Sequence, residues 1–187
     1  DESANPVHLA ADLLSQAEHD PRARAIMVTN SEKLANLVSD EVERQLSQLP
    51  RESIARPAIE NNSYIAVMDS VEDMFTVMNE VAPEHLEIQL PDPMEYMSMV
   101  ENAGSVFLGR YASEPLGDYV GGTNHVLPTS GTAKFSSPLG VYDFVKRISF
   151  TQFSRERLQE VAKDITTLAR TEGLEAHARA IEVRFEK

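Results

Sequence analysis

Gln16 and His19 lie three residues apart near the end of a run with helical apolar spacing, so both side chains project from one face towards one point. A nitrogen and an oxygen donor at that spacing can begin a metal site, as His pairs on helices do. The same pair also reads as a solvated helix end, where an imidazole suits the C-terminal dipole. Glu84 and His85 are adjacent in APEHLEI, between Pro83 and an apolar strand. Apolar surroundings raise a carboxyl towards the range of a useful general base, although Glu84 facing water beside a packed His85 fits the pattern too. Asp118, Asn124 and His125 sit among the small residues of LGDYVGGTNHVLPTSGT, where backbone can approach a ligand closely and Asp and His can bind metal or orient a substrate. A loop that merely closes the domain is the plainer account of that segment. His177 falls on the apolar face of the last helix, three after Leu174 and four before Ile181. Such a residue is either packed or, as a ligand, reaches inward from a helix that packs on a partner.

The elements that must position these residues follow from periodicity. Asn5 and Pro6 open a helix over residues 6 to about 18, carrying Val7, Ala10, Ala11 and Leu14 on one face. AIMVT (25–29), YIAVM (64–68), LEIQL (86–90) and SVFLG (105–109) read as strands. Between them, Leu34, Leu37, Val38, Val42, Leu46 and Leu49 mark a helix stopped by Pro50, and Asp69 is the expected cap of a helix burying Val71, Met74, Phe75, Met78 and Val81. Asp92 and Pro93 open a short helix with Met94, Met97 and Val100. Alternating helices and strands predict an α/β fold with a mostly parallel sheet.

Seven of the eight glycines fall between residues 104 and 140, a stretch without sustained apolar period, which predicts an ordered functional loop. Tyr111, Tyr119, Val120, Val126, Leu127, Phe135, Leu139 and Val141 within it are expected to be buried. Beyond Ser154, Leu158, Val161, Ala162, Ile165, Leu168 and Ala169 form a stripe that Gly173 ends, and a last helix runs from Leu174 to about Phe185. This hairpin needs another surface to cover its apolar face.

Composition removes several function classes. The chain has 187 residues, with 17 Lys and Arg against 30 Asp and Glu, a net charge of −13 that argues against nucleic-acid binding. No run approaches the roughly 18 apolar residues of a membrane span, and the first residues do not read as a signal peptide. Zero cysteines exclude disulfides, thiolate metal sites and a cysteine nucleophile within the chain, which fits a cytoplasmic setting. No GxGxxG or GxxxxGK fingerprint occurs. Asp1 directly precedes a helix signal, which suggests a piece of something longer.

Taken in order, SQAEHDP, APEHLEI, AGSVFLG, GDYVGGTNHVLPTSGTAKFSSPLGVYDFVKR and EGLEAHARA resemble the carboxyl-terminal part of histidinol dehydrogenase, over essentially the whole chain. The resemblance implies an NAD-dependent oxidation of L-histidinol to L-histidine through L-histidinal, the last steps of histidine biosynthesis. It implies zinc held by Gln16, His19, Asp118 and His177, with His177 coming from the partner subunit of a homodimer. Glu84 and His85 match its acid–base pair, and His125 and Glu172 match residues that touch the substrate, alongside Gln16, His19, His85, Asp118 and His177.

It further implies a partial Rossmann-like domain over residues 1–139, with helices on both faces of the sheet, and a linker with a helical dimerisation hairpin over 140–187. The nicotinamide contacts and a substrate-touching Ser are expected outside the chain, which alone is expected to be inactive and to bind NAD poorly. Two other readings stand beside this one: a zinc-dependent hydrolase, which also pairs zinc with a Glu base, and a non-catalytic metal-binding dimerisation module.

Overall fold

Helix starts are fixed by side chains that take up unpaired amides. In the computed structural model, which describes residues 1–186, Asn5 accepts the Val7 amide to open α1 (Pro6–Ala17), and Ser31 accepts that of Leu34 to open α2 (Glu32–Leu46). Ser70, not Asp69, caps α4 (Val71–Val81): its hydroxyl accepts the Asp73 amide and donates to the Asp73 carboxylate. Helix α2 ends at Leu46, short of Leu49 and Pro50, and Leu37 on its predicted stripe is 45% exposed.

Helix α3 (Glu52–Asn62) has no counterpart in the sequence reading, because Pro57 inside it removes an amide donor. Burial outweighs that loss. Ala55 and Ala58 are fully buried, and Arg56 is held by Glu43, Glu52 and Glu60.

The strands are β1 (Ile26–Thr29), β2 (Tyr64–Val67), β3 (His85–Ile88) and β4 (Ser105–Leu108). All pairing is parallel, as expected, but it forms two two-stranded sheets, β1–β2 and β3–β4, where one sheet was predicted. A cavity of about 230 Å³ is lined by residues of both sheets, among them Ile26 and Val28 of β1 and Leu86 and Glu87 of β3. Alternation along β1 sends Met27 into a cluster with α1, α2 and α3, and Val28 into a second cluster with Met74, Phe75 and Met78 of α4 and Ile88 of β3. Helices therefore cover both faces of β1, as the sequence reading required.

The predicted short helix forms as a 3₁₀ helix over Pro93–Met99, opened by Asp92 and Pro93. Helix α5 (Glu114–Tyr119) interrupts the glycine-rich stretch. Most of the large apolar residues expected to be buried there are exposed: Tyr111, Tyr119, Val120, Val126, Phe135 and Val141 all face outward. Hydrogen bonds order the stretch instead. The Asn124 side chain accepts the Val126 amide and donates to the Leu139 carbonyl at 2.7 Å, and the Leu139 amide donates to Val126.

The chain divides into two compact units, Asp1–Phe144 and a second beginning at Val145, five residues beyond the division read from sequence. The second unit is the hairpin of α6 (Arg155–Thr171) and α7 (Glu175–Glu182), joined where Gly173 adopts φ +74° and the Leu174 amide donates to Ala169. Its buried residues are the small Thr166, Ala169 and Ala178, which let the helices approach closely, while Leu168 and Val183 remain outside. Among the described residues no helix is long and apolar enough to cross a membrane.

Candidate active site

The site is built at the start of β3. The Gly104 amide donates to Pro83 and the Ser105 amide to Glu84, both at 2.9 Å, which locks the Glu84 backbone against the entry to β4. A Cβ at Gly104 would stand 2.6 Å from the Glu84 carbonyl oxygen, so glycine is required for this approach. His85 then begins β3 half-buried, its ring 6.1 Å from that of Phe107 on β4.

Helix α5 brings the remaining groups. Ser113 provides no side-chain cap, and the Glu114 amide donates instead to the Glu87 carboxyl at 2.9 Å. Glu114 is buried, and Asp118, one helical repeat further along the same face, is exposed. One ligand atom from each of His85, Glu114 and Asp118 lies within 4.8 Å of the other two. The His85 Nε2 to Glu114 Oε1 distance is 3.9 Å, too long for a hydrogen bond and short enough for electrostatic coupling.

Burial dominates the electrostatics. It pushes the Glu114 carboxyl up to about 7, with the Asp118 charge adding to the effect, and the Glu87 carboxyl up to about 8, with Asp12 adding to it. Burial also lowers His85 below its ordinary value, although the charges of Glu84 and Asp118 oppose this and His19 reinforces it. The imidazole is thus neutral near pH 7 and free to accept a proton.

Of the residues singled out in the sequence, five meet here. Gln16 lines the same cavity as His85 and Glu114, and His19 is near enough to bias the charge of His85. Helix α1 ends at Ala17, so His19 stands beyond the helix and is exposed, not on its face as the spacing implied. Glu84 and Asp118 complete the five. His125 is exposed on the loop that Asn124 closes, so Asn124 has a structural task. Glu172 is the C-cap of α6, and His177 projects outward from α7 beside buried Ala178, exposed instead of packed on an apolar stripe.

Sequence reasoning missed Glu114, Glu87 and Asp12. The signals were an acidic residue in the apolar run LEIQL and the four-residue spacing of Glu114 and Asp118. An imidazole nitrogen and two carboxylate oxygens gathered within 4.8 Å are donors of the kinds that a divalent metal such as zinc takes.

The family model described as histidinol dehydrogenase matches residues 1–185. A histidinol dehydrogenase of Lactiplantibacillus plantarum is 65% identical over 186 residues, covering 100% of this chain and 44% of that protein. One from Listeria monocytogenes is 57% identical over 187 residues, with the same coverage of both. The crystal structure of histidinol dehydrogenase from Elizabethkingia anophelis superposes with a TM-score of 0.81 at 40% identity, over 98% of this chain and 42% of that one. The chain thus spans less than half the length of these relatives. The ordered run of matched residues does not favour the hydrolase or the non-catalytic module. From residue 1 to residue 185, the chain belongs to the histidinol dehydrogenase family.

Proposed function

We propose that this chain supplies the acid–base and metal-binding part of an enzyme that oxidises L-histidinol to L-histidine through L-histidinal, with two NAD as hydride acceptors, in the final steps of histidine biosynthesis in the cytoplasm. The observation that carries the reading is the convergence of His85, Glu114 and Asp118 beside Gln16 and His19, in a chain of this family. In the first oxidation, neutral His85 takes the carbinol proton as hydride leaves the adjacent carbon. In the second, Glu84 takes the proton of the water that adds to the aldehyde, and the hydrated carbon then gives up its hydride. Within this chain no cysteine is available to form a covalent thiohemiacetal, and the groups it offers to both steps are acids and bases.

Gln16, His19 and Asp118 would hold zinc, with His177 supplied by the second subunit of a homodimer. Bound zinc supplies a template that fixes the imidazole and amine of the substrate. His125 and Glu172 would touch the substrate. The nicotinamide contacts belong to the remainder of the longer family protein, and this chain alone is expected to be inactive. The test is titration calorimetry of zinc, then of L-histidinol, into metal-stripped protein, with His177→Ala as the control. Zinc binding weakened by that substitution, with histidinol binding only to the zinc form, supports the reading. Zinc affinity indifferent to His177 sinks the shared site, and NADH production by the chain alone sinks the claim of inactivity.

A further inference from the structure

Two half-buried carboxyls, Asp12 and Glu87, have no part in the proposed chemistry, yet both line the cavity beside His85 and Glu114. Glu87 makes two contacts: it accepts the Glu114 amide at 2.9 Å, and Gln89 Nε2 approaches its other oxygen at 3.4 Å. Each residue of this junction lies one structural repeat from a site residue. Asp12 precedes Gln16 by four on α1, Glu114 precedes Asp118 by four on α5, and Glu87 follows His85 by two on β3. Both spacings put the paired side chains on one face of their element.

We propose that Glu87 is the positioning residue of this site: from β3 its carboxyl group takes up the first amide of α5 and so fixes His85 and Asp118 in mutual register. The inference rests on the reading that these residues form the reaction site. Helix α5 is short and lacks a side-chain cap of its own, so the amide that Glu87 accepts is the anchor of its N-terminal end, complementing the packing of Gly117 on Phe107. The role does not require a charge, because the oxygen of an amide side chain can accept from Glu114 equally well.

The experiment compares Glu87→Gln and Glu87→Leu in the whole chain by amide hydrogen exchange of the α5 segment without metal, and by titration with Co²⁺ followed through its visible absorption. In Glu87→Leu, α5 exchange should quicken, and Co²⁺ affinity should fall, by about tenfold or more, the scale of one lost hydrogen bond that leaves its partner unsatisfied. Glu87→Gln should keep both near wild type. Unchanged α5 exchange in Glu87→Leu overturns the proposal. So does Glu87→Gln loosening α5 in the manner expected of Leu, an outcome that remains readable if the Leu variant does not fold. Wild-type protein that binds no Co²⁺ would overturn the metal-site reading, while the exchange arm would still decide the role of Glu87.

Discussion

The Phe107 ring fills the space that a Cβ at Gly117 would need, its Cζ and Cε1 lying 2.8 and 2.9 Å from that position. Helix α5 therefore sits directly on the ring that flanks His85, and the gap between α5 and β3 is set by the absence of one methyl group. Gly117→Ala should force α5 away, destabilising the protein by about 1–3 kcal/mol as overpacking does. Urea unfolding measures this, and an unchanged midpoint would show that α5 is free to shift.

Gly104 tests the other side of the site. A Cβ there meets backbone, not the flexible end of a side chain, so the β4 entry must move relative to Glu84. Gly104→Ala should cost more stability than Gly117→Ala, because the Phe107 ring can tilt and the Glu84 carbonyl is held by the Ser105 amide. Equal losses in parallel denaturation curves would contradict the ranking.

Two carboxyls with raised pKa values, Glu87 and Glu114, set a pH dependence. Glu87 is raised to about 8 by burial first and the Asp12 charge second, so the folded state keeps a proton that the unfolded chain releases above its ordinary carboxyl range. Its contribution to stability is complete below about 4.5 and is lost as pH rises towards about 8, at no more than about 1.4 kcal/mol per pH unit. Glu114, raised to about 7, acts in the same direction up to that pH. Glu87→Gln should flatten the decline between pH 5 and 8 by about one proton's worth in thermal unfolding. A slope equal to that of wild type would refute the assignment.

If Asp118 is a metal ligand, Asp118→Asn should lower zinc affinity by at least about tenfold, the smallest loss expected even of groups one step removed from a metal. Competition with a chromogenic chelator reads this directly. Asp118 is exposed, so the substitution should leave the melting temperature of the metal-free protein within a degree or so, as surface changes do.

Loop order is a separate matter. Because Asn124 bridges Val126 and Leu139, Asn124→Ala should open the segment between them to limited proteolysis. Cleavage at the wild-type rate would mean that other hydrogen bonds suffice.

Residues whose role follows from local spacing were legible in the sequence. The Asn5 cap, the α4 face of Met74, Phe75 and Met78, and the Glu84–His85 junction all follow from periods and caps. Features decided by tertiary burial were not. Helix α3 survives Pro57 because Ala55 and Ala58 are pinned beneath it, and no local signal encodes that. Glu114 becomes a buried acid only because Glu87, distant in sequence, draws the start of α5 onto β3. The exposed aromatics of the glycine-rich stretch misled for the opposite reason: hydrogen bonding, not burial, orders that segment.

The absence of a β1–β3 ladder bears on how the first unit comes apart. Met27 and Val28 are neighbours in the chain but belong to different apolar clusters, and Val28 packs, with Met68, against the α4 cluster. Cooperativity across the unit thus passes through side-chain packing without help from a continuous hydrogen-bonded sheet. Two foldons are the expected result, one of α1, α2, α3 and β1–β2 and the other of α4 and β3–β4, each able to open without dragging the other along. Because Gln16 and His19 come with the first foldon, and His85 with the second, the site straddles a natural fault line, and its assembly reports whether both halves are closed at once.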